Sequence, residues 1–512
     1  MGPIISKLKT LISRHVHFSL IGSLLLGAFL FFFTQKLVMN LGFQTASFDL
    51  YYRDQSIWNV TQGKGLYLNM LNRNYFSEHF YPFFYLISLF YFIYPTPIWQ
   101  FALMALLLCL TMLPILWITK EKFGKKAVVI AFVLMMANYG FREANVLYIY
   151  GETVIACVMS WIMYFLYKEK YRPVFVLSLC LPFLKETAVV VAAMVGLYLI
   201  VFRKRVVMGL VIIGFSVAMS WYALTIFIPH FSPDSHYKFA GYYTNLGHSV
   251  PDMVHTIVTR PIYAATQIIS ADKILNFLLL VLPLAFLPFF SSYSLLAVGL
   301  IAQCFLSGDQ NFYKFYSHHL FPVLTIFFFS SVLGLDFLKK RLTETSYSKV
   351  KKSMKWIFIF FIGLNGLVFI VLESRNFYIS RHTLAIHRLM HQIPPKESVV
   401  VSRKFLVHLN YREKINLFPG NYTQANYVFV ETIDPDFPAS EKTSVSIHRL
   451  WQAGRKVHVI KALWLGPDSY APEGPEVYAA WLEKLVHDPD YEKIGQAGST
   501  VLYRKKGVVD EK

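Results

Sequence analysis

The sequence predicts an all-α polytopic membrane protein, a bundle of about 11 transmembrane helices, with a small α/β domain at its C-terminal end. Three observations carry this. Of 512 residues, 55% are hydrophobic and only 15% are charged, whereas soluble domains average about 25% charged residues. Apolar runs near the length of about 20 residues that a helix needs to cross a bilayer recur from the first tens of residues onward. From about residue 377 the pattern changes to short apolar strands and polar turns. A mean hydropathy of +0.45 points the same way. A soluble single-core enzyme and a disordered chain are both excluded, since disorder needs low hydrophobicity.

In chain order, the spans are expected near 18–40, 97–119, 127–146, 152–167, 173–185, 186–202, 206–228, 274–290, 292–306, 319–338 and 356–373. The first follows Lys7, Lys9 and Arg14 and has no small-residue cleavage site behind it, so it reads as an uncleaved helix. Residues 80–94 are apolar but short and stop at Pro95-Thr96-Pro97. They are expected to lie in the outer interface, with Tyr81, Tyr85, Tyr91 and Tyr94 as an aromatic belt. Lys185-Glu186 interrupts a long apolar stretch and predicts a hairpin. Arms of about 12–16 residues are too short to cross a roughly 30 Å core, so the turn should sit below the outer surface. Charges there cost about 2.5–3.5 kcal/mol each unless paired or wet, and a water-filled cavity is expected around them.

The net charge of +19, from 49 Lys and Arg against 30 Asp and Glu, follows from topology. Lys120 to Lys126, Lys168 to Arg172, Arg203 to Arg205 and Lys339 to Lys355 flank apolar runs and fall on one side if the N-terminus is cytoplasmic. Nucleic acid is not an expected partner; membrane lipid is. The tail is then extracytoplasmic. Cys109, Cys157, Cys180 and Cys304 all lie in apolar runs without metal spacing and read as packed small hydrophobes.

These readings divide the chain into a membrane domain at 1–376, with a first outer loop and interfacial helix at 41–96, and a soluble α/β domain at 377–512. In the latter, helices are expected at 381–393 and 474–487. Strands are expected at 398–402, 414–418, 426–432 and 456–460, and a hairpin near 491–504.

Acids, bases and cations gather at the outer helix ends. Asp49 and Asp54 follow the first span; on one helix they would stand about 140° apart. Asp49 also precedes Arg53 by four residues, the spacing of a surface ion pair worth a few tenths of a kcal/mol. Glu78-His79 is suited to a divalent metal or proton transfer. Arg142-Glu143 and Tyr148 to Glu152 lie at the next outer turn, Lys185-Glu186 at the third, and Tyr316 with His318-His319 at the last. The cytoplasmic ends carry only topology-type charge, so the asymmetry points to a site facing outward.

FDLYYRDQSIW (Phe48 to Trp58) resembles the F-D-L-G-x-x-D-Q-x-x-W signature of the domain-of-unknown-function-2079 family of prokaryotic membrane proteins. FSEHFYP (Phe76 to Pro82) is similar to that family's D-H-F-S-P segment, and LKETAVV (Leu184 to Val190) to its K-E element. GYYTNLGHS (Gly241 to Ser249), Thr259 to Pro261 and YSHHLFP (Tyr316 to Pro322) match in order. Tyr51 replaces a glycine, Glu78 an aspartate, and Tyr150-Gly151-Glu152 stands for H-P-E. The family in turn resembles the GT-C superfamily of integral-membrane glycosyltransferases. That resemblance implies transfer of a sugar from a polyprenyl-phosphate carrier to an acceptor outside the prokaryotic cytoplasmic membrane. Asp49 would be the general base and Asp54 the runner-up. Lys185, Arg142, Arg53, Glu186, Glu152, His318 and His319 would receive the donor and its phosphate, and Asp54, Glu78 and His79 would hold a divalent metal such as Mg or Mn. The alternatives are a transporter or flippase of a lipid-linked or small polar substrate, and a membrane-anchored scaffold or sensor.

Overall fold

The computed structural model describes residues 2–45, 48–146, 149–232, 237–432 and 475–508. Each of the expected spans falls on helical segments, though those at 127–146 and 274–290 are interrupted. Among the described residues, six helices are long and apolar enough to cross a membrane, at 20–41, 98–123, 186–203, 206–231, 318–341 and 344–371; the number is eight if two bent pairs each count as one span. The pairs are 125–137 with 139–145, bent by 62°, and 261–268 with 271–284, bent by 63°. Shorter apolar helices occupy 151–167, 171–183 and 292–306.

The expected straight span at 127–146 is therefore broken, at Asn138. Arg142 explains how the break is tolerated. Its Nη1 donates to the main-chain carbonyls of Ala137 and of Met136 (3.3 Å), and its Nη2 to that of Asn365 (3.3 Å). Buried carbonyls released from a helix need such donors.

The chain forms two compact units: 1–34, 76–87 and 97–367 make the first, and 35–75, 88–96 and 368–512 the second. Most of the first outer loop thus clusters with the C-terminal residues, whereas the sequence division groups it with the spans.

In the first unit, the basic helix ends are tied together. Lys168 pairs with Glu121 at 2.5 Å, Lys122 with Asp336 at 3.2 Å, and Arg203 with Glu169 at 3.3 Å. Helices 98–123, 151–167, 189–203 and 318–341 therefore present their lysine and arginine ends together, as the charge pattern predicts. Helices Val189–Arg203 and Val206–Tyr222 touch backbone to backbone: a Cβ on Gly196 would stand 2.7 Å from the Gly209 carbonyl oxygen. Small residues at this crossing allow the close packing that holds helices together in lipid.

The short helix Phe84–Tyr91 occupies the expected interfacial segment. Tyr85 and Tyr94 are exposed with Leu86, Leu89, Phe90, Phe92 and Ile93, but Tyr81 and Tyr91 are buried. The belt is thus half of that expected, because these two hydroxyls serve buried polar groups.

The second unit holds a two-stranded ribbon, β1 (Tyr67–Leu68) and β2 (Arg73–Asn74). It also holds a five-stranded sheet of β3 (Val399–Val401), β4 (Ile415–Leu417), β5 (Tyr427–Glu431), β6 (Tyr491–Ala497) and β7 (Thr500–Lys505), ordered β4-β3-β5-β7-β6. β3 runs parallel to β4 and β5; β7 is antiparallel to β5 and β6. Continuous β-branched runs such as Val399 to Val401 suit a strand buried on both faces. Helices Arg381–Met390 and Pro475–Val486 lie where expected. The strand expected at 456–460 lies outside the described residues. Val400, Val428, Val430, Val501, Leu482 and Leu485 are among the residues that form the core.

His408 is buried in this unit. Burial and the neighbouring His387 push its imidazole down to about 3 from the ordinary 6.5, against an opposing hydrogen bond to the Asn40 carbonyl. Between these values the unfolded chain binds a proton that the folded chain refuses. Stability therefore falls as pH drops through that window, by up to about 1.4 kcal/mol per pH unit. Hydrogen exchange of the β3 and β5 amides should speed up from about pH 7 to about pH 5, after correction for intrinsic exchange, and His408→Leu should flatten the trend. Equal acid sensitivity in the variant would exclude His408 as the cause.

Candidate functional site

The hairpin expected at Lys185-Glu186 is present. Helix Tyr171–Cys180 continues into a 3-10 turn at Leu181–Phe183, and a second 3-10 turn, Glu186–Ala188, opens into helix Val189–Arg203. Pro182 and the extended Lys185 (φ −170°, ψ 142°) break the run between the arms. Lys185 is 5% exposed and Glu186 fully buried. Both charges are paired within the protein: Lys185 with Glu152 and Glu186 with His79. Ion pairing offsets the cost of burying either charge.

Two carboxylates organise the partners. Glu152 stands in the first turn of helix Gly151–Tyr167, and its Oε1 accepts from Lys185 Nζ and lies 2.7 Å from His319 Nδ1. Glu186 Oε1 lies 2.9 Å from His79 Nδ1 and accepts from the Tyr237 hydroxyl at 2.8 Å, while its Oε2 accepts from the Phe80 main-chain N–H at 3.1 Å. Burial and the Glu186 charge hold the Tyr237 phenol well above its ordinary range, so it stays a neutral donor. Gly151 permits the approach of these elements. A Cβ there would stand 2.7 Å from the Leu184 carbonyl and 3.0 Å from the Tyr81 ring.

Aromatic rings fix the imidazoles. His79 stacks on Phe239 at 4.5 Å and on Tyr81 at 4.9 Å; His318 stacks on Tyr150 at 3.8 Å, and His319 on Phe312 at 4.1 Å. Glu152, His318 and His319 each offer a ligand atom, all within 4.8 Å of one another. Thus Glu152, Lys185, Glu186, His79, His318 and His319, singled out on separate outer turns, form two joined clusters within the first unit. Glu78 is buried there too. Arg142 donates to main-chain carbonyls. Tyr148 lies outside the described residues.

The second unit holds the two aspartates, on helix Phe48–Thr61. Asp54 is fully buried. Its Oδ1 accepts from the Tyr91 hydroxyl and its Oδ2 from Asn410 Nδ2 at 2.9 Å. Tyr411 is held well above the usual phenol range by burial and by Asp54. Gln55 Oε1 accepts from the Tyr51 hydroxyl at 2.9 Å and from the Asn69 N–H at 3.0 Å, and Asn59 Nδ2 donates to the Tyr67 carbonyl at 2.7 Å. Much of the first motif therefore builds the loop itself. Asp49, by contrast, is exposed in the first helical turn. Buried Arg53 reaches its main-chain carbonyl at 3.5 Å. Of the residues expected to hold a metal, Asp54 is hydrogen-bonded at both oxygens and His79 Nδ1 pairs with Glu186.

No curated protein matches the chain. Among solved structures, the fold is similar to that of ArnT from Cupriavidus metallidurans bound to undecaprenyl phosphate, with 12% identity, a TM-score of 0.49, and coverage of 94% of this chain and 97% of that one. The same protein in the apo state matches with 12% identity and a TM-score of 0.45, over 91% and 96% of the two chains. A family described as a predicted membrane protein, DUF2079, matches residues 41–455. With that match over most of its length, the chain belongs to the DUF2079 family of membrane proteins.

Proposed function

We propose that the chain is a GT-C-type transferase that moves a sugar from a polyprenyl-phosphate carrier onto an acceptor at the extracytoplasmic face of the cytoplasmic membrane. The observation that carries this reading is the buried cluster of Glu152, Lys185 and His319 with Glu186 and His79, at helix ends opposite the basic ones. Along helix Gly151–Tyr167 alone, Glu152 and Lys168 are separated by about 24 Å. A passive anchor gains nothing from burying these charges, whose desolvation costs several kcal/mol per ion before pairing. Nucleotide sugars are not at hand on that face, and a lipid carrier can enter sideways from the bilayer.

In the reaction, an acceptor hydroxyl loses its proton to a carboxylate as its oxygen bonds to the anomeric carbon. The bond from that carbon to the phosphate oxygen breaks, and the electron pair leaves with the phosphate. Asp49 is the proton acceptor, being the exposed one of the two aspartates. Lys185, held in place by Glu152, stabilises the charge gathering on the departing phosphate. Asp54 positions the loop. The acceptor is a glycan, lipid or protein hydroxyl.

Lipid mass spectrometry on the purified protein and on cells lacking it tests the proposal. A polyprenyl-phosphate sugar should co-purify with the protein and accumulate in the deletion strain. Unchanged lipid pools with no bound carrier would sink the transferase and favour a transporter or a scaffold.

A further inference from the structure

We propose that Glu152, His318 and His319 form a binding site for a single divalent transition metal of the zinc class. The three ligand atoms lie within 4.8 Å of one another. Ligands on a tetrahedral zinc, at about 2.0–2.2 Å from the metal, stand about 3.3 Å apart. Glu152 Oε1 and His319 Nδ1, hydrogen-bonded at 2.7 Å, already face each other, and a metal would replace that bond. Adjustment of side-chain torsions closes the rest.

A second observation points to a cation. Glu152 Oε2 is buried and has no hydrogen-bond partner among the described residues, and the same holds for Gln303 Oε1. Both residues line one cavity of about 20 Å³ together with His319, Cys304 and Phe312. A buried acceptor without a partner costs about 1–3 kcal/mol. Two of them lining one cavity, each an acceptor only, call for a cation or a water. The chemistry favours the cation: Lys185 is on Glu152 Oε1 and leaves Oε2, a carboxylate oxygen, open.

The donor set selects the metal. Two imidazoles and a carboxylate suit zinc and its neighbours, whereas magnesium and calcium prefer all-oxygen sites. The Cys304 sulfur is turned to the His319 carbonyl, 3.8 Å away. Tyr150 and Phe312 stack on the two rings and restrict their planes, and the Ser317 hydroxyl accepts from the main-chain N–H of His319 at 3.2 Å. Such outer contacts orient metal-binding histidines. Three protein ligands leave a fourth position for water or a phosphate oxygen. Only this last role rests on the transferase reading, in which the metal would share the donor phosphate with Lys185.

The test is elemental analysis of the full-length protein purified in detergent without chelator, loaded with Zn2+ and then dialysed. About one zinc per chain is expected, and Co2+ in its place should give the visible d–d absorption of a low-coordinate nitrogen and oxygen site. His319→Ala should weaken binding by about 100-fold or more. His318→Gln should do the same and guards against misfolding of the first variant; circular dichroism checks both. A wild-type protein that retains no zinc would overturn the proposal and leave a water as the partner of the two acceptors, as would folded His318 and His319 variants with full metal content. Metal content is read without turnover, so failure of the transferase reading leaves this measurement untouched.

Discussion

Replacing Glu186 with leucine is expected to destabilise the membrane-spanning unit by about 3–5 kcal/mol, the usual consequence of removing one member of a buried ionic network. Three donors meet this carboxylate: the Phe80 N–H, the Tyr237 hydroxyl and His79. Leucine fills much of the space but accepts nothing, so each donor is left buried without a partner, at about 1–3 kcal/mol apiece. Lys185, whose charge is balanced in part by Glu186, loses that balance too. The loss should not be additive with that of His79→Leu, because the two side chains share one hydrogen bond. The double variant should recover about 0.5–3 kcal/mol relative to the sum of the single ones. Unfolding of the purified protein measured by steric trapping in detergent or bicelles reads both quantities. A loss below about 1 kcal/mol for Glu186→Leu would mean that water, not His79 and Tyr237, satisfies the carboxylate.

That network also shows what could be read from the sequence and what could not. The helical segments, the basic ends, the hairpin and the positions of the described C-terminal strands were legible because each is written locally: in apolar length, in lysine and arginine flanks, in period-2 and β-branched runs. The outer acids and histidines were legible as a set, since they recur at one end of successive spans. Which of them pair was not. Glu152 meets Lys185 and His319, and Glu186 meets His79 across 107 positions, and nothing local to either residue encodes that. Tyr237 and Gln303 carried no signal at all, because a tyrosine or glutamine in an apolar setting is unremarkable until its neighbours are known. The bend at Asn138 was missed for a similar reason. Its cue, an arginine four residues on, acts through carbonyls from two separate segments. The hydrogen bonds of Asp54 were not legible either, since its partners Tyr91 and Asn410 come from distant parts of the chain.

The two aspartates of the first motif should part company when each is replaced by asparagine. Asp49→Asn exchanges one exposed oxygen for an NH2 group, so the fold should be unaffected to within about 0.5 kcal/mol. If Asp49 accepts the acceptor's proton, sugar transfer should fall about 100- to 10,000-fold, the usual share of a general base. Asp54→Asn acts differently. The Tyr91 hydroxyl and Asn410 Nδ2 both donate to the carboxylate, and an amide can accept from one only by turning its own NH2 toward the other. Two donors then face each other in a buried site, at a cost of about 1–3 kcal/mol. Activity should fall with the folded fraction and return on cooling or with a stabilising lipid. The contrast is read by measuring turnover of the carrier-linked sugar and thermal stability on the same preparations. An inactive, fully stable Asp49→Asn alongside an unstable Asp54→Asn would assign chemistry to the first and loop architecture to the second. Full turnover by Asp49→Asn would remove Asp49 from the mechanism and leave the proton to another base on the extracytoplasmic face.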